Sequence, residues 1–312
     1  MSIEYALGTM SIECALDEPR LPPELEHKIF KIAALARPIG IRTLMLVAKR
    51  VKFWVEPVLY RVVYLNSPSI GNPDNFDLPA FAPDALEQIS PDCLRHVRHL
   101  YINDTFVEGR LQSWLLACSG VTNLCALFAC TPDLLPSISG FTNIKYLTID
   151  VRALDGTKLP LPTFLTVTHL ELLDLTTLVV RVDVDRVFSN ISLMPRLTHI
   201  AINPNLDKFL PHEAFCANAE LRCILFFNAA ASLDDSPLLN DSRFVHMDDG
   251  ETYCNDWLHG TVFGRDYWSV ADDFLAARRA GTIDRSRYRI VNGKDFRVGE
   301  VGFTLTSSEL TR

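Results

Sequence analysis

Apolar residues recur through the middle of the chain in one short phrase, Leu-x-x-Leu-x-Leu in its general form. Six copies align, at Val97/Leu100/Ile102, Leu124/Leu127/Ala129, Ile144/Leu147/Ile149, Val167/Leu170/Leu172, Leu197/Ile200/Ile202 and Leu221/Ile224/Phe226. Their first positions lie 27, 20, 23, 30 and 24 residues apart, close to the roughly 20–29 residues of repeats that contribute one short strand each. Helical spacing fills the intervals at Gly109–Cys118 (Leu111, Trp114, Leu115), Val184–Met194 (Val187, Phe188, Ile191) and Glu213–Asn218. Strands alternating with helices predict parallel pairing through right-handed crossovers. Three large apolar groups per strand contribute only ~5–9 kcal/mol when buried. Ordering some two dozen residues costs several times that, at ~1–2 kcal/mol each. The copies must therefore stack, and the two ends of the stack need covers.

The phrase and its spacing resemble a leucine-rich repeat. The expected fold class is α/β, an irregular leucine-rich-repeat solenoid of parallel strands. It is irregular because only the copy at Leu197 continues to an asparagine, Asn205, where the others carry Thr105, Pro132, Arg152, Leu175 and Ala229. No Gly-x-Gly-x-x-Gly or phosphate-binding loop follows a predicted strand, which disfavours a doubly wound nucleotide-binding domain. Residues between the buried positions should face the concave side: His99, Tyr101, Asn103, Phe128, Tyr146, Asp150, His169, Glu171, His199, Asn203 and Phe227. Large aromatic and polar groups on a rigid sheet suit protein recognition. His99, Tyr101, Phe128, Tyr146, His169, Glu171 and His199 are therefore the expected contacts for an unknown target protein. The other expectation for this face is a cover supplied by segment 66–90 or 228–260.

Ahead of the repeats, Pro22 and Pro23 preset a helix start and Glu24 faces its positive end. Leu25, Ile29, Ile32, Ala33 and Ala36 then form one apolar stripe on a helix that stops before Pro38. Thr43 is placed to cap a second helix carrying Leu44, Val47, Val51 and Val55 on one face, with Lys49, Arg50 and Lys52 in water. Pro57 should end or kink it. The segments LPPELEHKIF and LMLVAKRVKFWVEPVLYR within residues 21–65 resemble an F-box, with Ala48 and Val51 standing where that family usually has Cys and Trp. The resemblance implies docking onto the small Skp-type adaptor of a cullin–RING ubiquitin ligase. It places Leu21, Pro22, Leu25, Ile29, Leu46 and Val47 in the adaptor-binding segment.

The resulting organisation is a disordered tail (1–20), an F-box-like helical domain (21–65), a linker loop (66–90), the solenoid (91–256) and a C-terminal cap (257–312) that includes a helix at Val270–Ala280. The implied function is a non-enzymatic, substrate-recruiting adaptor. The alternative is a repeat-protein interaction scaffold with no ligase role, its helical head serving only as a structural cap.

Composition narrows the partners. With 48% hydrophobic and 22% charged residues the chain has a globular balance. Its net charge of −8 argues against general capture of nucleic acid or an anionic membrane. Residues 21–65 run the other way, with eight Lys/Arg against three Glu. Eight cysteines without a Cys-x-x-Cys read as reduced thiols. The opening residues lack a basic, apolar leader, so a cytoplasmic or nuclear location is expected. His169, His199 and Glu171 have the makeup of a two-histidine, one-carboxylate site, but any histidine pair in that column would look the same, so neither a metal nor another cofactor is expected. The acidic run at Asp234, Asp235, Asp241, Asp248, Asp249, Glu251 and Asp256 reads as a solvated loop. No hydrolase or metalloprotease motif occurs.

Overall fold

The computed structural model describes residues 21–65, 80–81, 88–102, 115–126, 138, 140–155, 161–174, 183–204, 206, 210–228, 233, 235–248, 257–258, 260–262 and 264–291. Expectations for the tail, most of the 66–90 linker, Leu111, Trp114 and the last 21 residues lie outside them. Ten strands build one open sheet: β1 Val62–Leu65, β2 Ala80–Phe81, β3 His99–Ile102, β4 Asn123–Ala126, β5 Tyr146–Asp150, β6 His169–Leu173, β7 His199–Ile202, β8 Cys223–Phe227, β9 Phe244–Asp248 and β10 Arg289–Val291. Their order is β10-β9-β8-β7-β6-β5-β4-β3-β1-β2, and every neighbouring pair is parallel. Consecutive strands lie side by side from β3 to β10, as a stack of repeats requires.

Strand pairing aligns the buried positions into columns. Val63, Leu100, Leu124, Leu147, Leu170, Ile200, Ile224 and Phe244 form one; Leu65, Ile102, Ala126, Ile149, Leu172, Ile202 and Phe226 form the next. All belong to a single apolar core. The second copy differs from its expected phase by three residues. Leu124 pairs with Leu100 and Leu147, so Val121, Leu124 and Ala126 fill the three core positions. The copies then begin 24, 23, 23, 30 and 24 residues apart. Leu127, Phe128 and Ala129 lie outside the described residues. Four strands that the six-copy alignment did not include lengthen the stack, β1 and β2 at one end and β9 and β10 at the other.

The polar residue before each strand joins neighbouring repeats. The carbonyls of Arg61, Arg98, Thr122, Lys145, Thr168 and Thr198 each accept two N–H bonds from the next repeat, at 2.7–3.2 Å. A column of polar groups is thereby satisfied without water, as a buried backbone needs. On the helical side, Asp183 caps a helix at Val184–Ser192 through the Arg186 N–H, and the buried Asn190 amide donates to the Leu154 carbonyl at 2.6 Å.

The helical head comprises α1 Pro23–Ala36, α2 Ile41–Leu44 and α3 Lys49–Leu59. Its own small core holds Ala34, Ile41, Val51, Val55 and Leu59, flanked by Phe30, Leu44, Met45 and Trp54. Three expectations need correction here. The second helix is broken: α2 ends at Leu44 and α3 starts after Ala48, so Thr43 is not its cap and Val47 leaves the buried face. Pro57 sits inside α3, which runs on to Leu59. The Leu25–Ile29–Ile32 stripe of α1 points into solvent, while Ala34, half a turn away, packs against the head core.

Within the segment expected to close the end of the solenoid, the helix lies across the concave face while β10 pairs with β9 at the sheet's end. A fourth helix of interest, α4 at Tyr267–Ala280, has Asp266 as N-cap in a reciprocal capping box with Ser269 and ends at Gly281, which adopts a left-handed conformation. Its Tyr267, Trp268, Ala271, Phe274 and Leu275 bury against Ala201, Cys223, Leu225, Phe227, Val245, Met247 and Ile290. Those sheet positions are the concave ones, and they are apolar, so the C-terminal half of the sheet is buried on both faces. Over the N-terminal half, Trp257 and Leu258 pack with Val62, Tyr64, Tyr101, Cys125 and Leu173.

Candidate functional site

Two surfaces carry the residues singled out in the sequence. The first is the solvent side of the head. Leu21, Leu25, Ile29 and Ile32 on and before α1 are 44–57% exposed, and Leu46, Val47 and Phe53 are 85%, 61% and 77% exposed. Pro22 is exposed as well, and its carbonyl accepts the first helical N–H bonds, from Leu25 and Glu26. The opposite side of α1 is held to α3 by polar and aromatic contacts. Arg50 donates to both oxygens of Glu26, at 3.0 and 2.8 Å, and His27 lies 5.2 Å from the Trp54 ring. The Arg50 bond holds the Glu26 carboxyl below its usual pKa. The head therefore has its own apolar core and still leaves several large aliphatic side chains in water, an arrangement that costs solubility unless something covers them.

The second surface is the concave face. Strand register brings His99, Tyr146, His169 and His199 into one column and Tyr101 and Glu171 into another, with Asn123, Cys125 and Thr148 between them. Asn123, Cys125 and Thr148 escaped the sequence reading because the second copy was phased late and Thr148 was passed over. Phe128 and Asn103 lie outside the described residues.

This column is a stack of rings. The Tyr146 and His169 centroids are 4.3 Å apart, those of His169 and His199 are 4.1 Å apart, and Trp268 stands edge-on to both histidines at 5.1 and 6.0 Å. Nδ1 of each histidine meets the hydroxyl of the preceding threonine, Thr168 at 2.8 Å and Thr198 at 2.7 Å. Nε2 of His199 meets Asp272 on α4 at 3.1 Å. Glu171 is buried, and its Oε2 accepts from Tyr267 at 2.7 Å and from Thr148 at 2.8 Å. Toward the other end, Trp257 donates to Asn123 at 2.9 Å and packs 5.4 Å from the Tyr101 ring.

Electrostatics follow from this enclosure. Burial, with the neighbouring His199, pushes the His169 pKa down to about 3. Burial, with the guanidiniums of Arg61 and Arg98, does the same to His99, also to about 3. The bond from His199 holds Asp272 below the usual carboxylate range. Both low-pKa imidazoles are thus neutral at ordinary pH, which lets His169 lie under a second imidazole. Asp150 is buried and engages Arg152 through both oxygens at 2.7 Å; Asn203 and Phe227 are buried too. The expected open recognition face is therefore covered by the chain's own α4 and Trp257, close to the alternative in which part of 228–260 covers it. No group of three His, Cys, Asp or Glu among the described residues is arranged to hold a metal ion.

No family model matches the chain, and a comparison with curated proteins finds no match. What stands is the class defined by the fold: an α/β protein with one open parallel sheet, compatible with a solenoid-like stack and preceded by helices. No helix among the described residues is long and apolar enough to cross a membrane.

Proposed function

We propose that this chain is a non-enzymatic recruiting adaptor that uses its F-box-like head to dock onto the Skp-type adaptor of a cullin–RING ubiquitin ligase, with the solenoid holding a target protein. The observation that supports this reading is the exposed aliphatic face of the head, formed by Leu21, Leu25, Ile29, Leu46 and Val47, on a unit that already has its own core. A head serving only as a cap would turn that face toward the sheet. Another side of the head meets the sheet, around Leu35, Val58 and Leu59 beside Val62, and continues into Arg61, whose carbonyl starts the ladder between strands.

The test is capture of the full-length chain by immobilised Skp-type adaptor. Parent protein should bind at micromolar concentration. Leu25→Asp with Ile29→Asp should weaken capture at least tenfold, since burying each unpaired carboxylate costs several kcal/mol. Thermal stability should stay within the small range of exposed substitutions, about ±0.5 kcal/mol each. Absence of capture by folded parent protein removes the ligase reading and leaves the scaffold.

A further inference from the structure

The concave face is occupied, so a site on the solenoid has to lie elsewhere. The edge of the sheet where the strands begin carries an unassigned groove of about 280 Å³, whose lining includes Arg98, Thr122, Asn143, Lys145, Thr168 and Arg196 beside Gly120 and Thr166. These residues belong to turns of successive repeats, which brings them into register along one edge. Three of its eight lining residues are cations in a chain of net charge −8. Arg98 spends one guanidinium N–H on the Gly120 carbonyl at 2.8 Å and has no carboxylate partner among the described residues. Neither Lys145 nor Arg196 makes an ion pair among the described residues. Gly120 is part of the arrangement: a Cβ there would come within 2.4 Å of the Arg98 guanidinium and 2.5 Å of the Arg95 carbonyl. Thr122 and Thr168 turn their hydroxyls inward, onto the Arg98 and Lys145 carbonyls at 3.2 and 3.1 Å. The groove thus presents cationic groups and the Asn143 amide as its outward donors.

Spacing indicates the ligand. Neighbouring strands are ~4.8 Å apart, and Arg98, Lys145 and Arg196 precede β3, β5 and β7, so consecutive cations lie ~10 Å apart over ~20 Å in all. That is too wide to converge on one phosphate. It matches an extended peptide of about six residues at ~3.3 Å per residue. Among the described residues no aromatic ring lines the groove on which a nucleobase could stack.

We infer that this edge groove binds an acidic peptide segment, running along the solenoid with its carboxylates facing Arg98, Lys145 and Arg196. This goes beyond the adaptor reading and does not need it, since the groove lies on the solenoid and the docking face on the head.

The test is titration of the purified full-length chain into a labelled hexaglutamate peptide, followed by fluorescence anisotropy. Saturable binding that weakens as salt rises from about 50 to about 300 mM is expected. Arg98→Ala, Lys145→Ala and Arg196→Ala should each weaken it roughly two- to fivefold, and the triple variant at least tenfold, with an unchanged circular dichroism spectrum and unchanged adaptor capture. The proposal is overturned if the triple variant binds like the parent, if hexalysine binds equally well, or if single-stranded RNA binds the same residues more tightly than hexaglutamate. Failure of adaptor capture by the parent would overturn the ligase reading alone.

Discussion

Phe274→Ala should lower the stability of the whole sheet by about 3–5 kcal/mol, the usual result of truncating a fully buried phenylalanine. Phe274 is 0% exposed and packs in the cluster that joins α4 to β7, β8, β9 and β10. In a protein whose total stability is ~5–15 kcal/mol, that loss is a large share, and the midpoint of thermal unfolding should fall by roughly 10 °C. Leu193→Ala, at a side chain that is 51% exposed, is the control and should change stability by about 0.5 kcal/mol or less. The measurement decides what α4 is. As part of the core it makes the sheet and the helix unfold together, in one transition. As a detachable lid it would let Phe274→Ala free the helix, visible in hydrogen exchange over 267–280, while the sheet melted unchanged. The sheet's own composition favours the core: Cys223, Leu225 and Phe227 alternate with Ile224 and Phe226, so β8 is apolar on both faces and cannot leave either in water.

That same strand marks how far the sequence could be read. The core columns were legible wherever the phrase was flanked by polar residues, as at Lys145-Tyr146 before Leu147 and Thr168-His169 before Leu170. They were misphased at LCALFA, where apolar residues run without interruption and any register fits. The pair Thr122-Asn123 ahead of Leu124 carried the correct phase, because a polar residue precedes each strand to join the backbone ladder. Which side of the sheet stays open is a different question. It turns on where a helix some forty residues after β8 comes to rest, and its apolar stripe suits an end cap and a concave face equally. The evidence against an open face was present in Ala201, Cys223, Leu225 and Phe227, apolar where an exposed column would be polar. In the head, periodicity found the apolar side of α1 but could not say that it faces solvent; only the packing of Ala34 and the Glu26–Arg50 pair on the other side settles that.

Acid should destabilise this protein steeply before most of its carboxylates titrate. His99 and His169 have pKa values near 3 in the folded chain, against about 6.5 when unfolded, and burial is the leading cause for both. A group whose folded pKa is depressed takes up its proton on unfolding. The unfolded state therefore binds more protons wherever pH lies between the two values, and stability falls as pH drops below about 6.5. Each such histidine contributes a slope of about 1.4 kcal/mol per pH unit once its unfolded form is protonated, so the pair approaches about 3 kcal/mol per unit. Little favours the protons there: His169 faces the Tyr146 and His199 rings and the edge of Trp268, with only Asp272 attracting its charge, and His99 feels the Arg61 and Arg98 guanidiniums, with its Nδ1 buried and unbonded among the described residues. Below about pH 4 other groups enter with opposite signs. Asp272, held low by His199, loses its stabilising charge there, whereas burial raises the Asp266 pKa, so its protonation in the folded state starts at higher pH and opposes the histidines. In the window from pH 6.5 to 5 the histidines lead, with His96, also lowered by burial, adding to the pair. Chemical denaturation at half-unit steps should show stability falling steeply across it, and His169→Gln, which keeps a polar planar group but cannot titrate, should remove about half of the slope. A stability that stays level from pH 7.5 to 5 would mean that the imidazoles are solvated and that α4 does not seal the face they occupy.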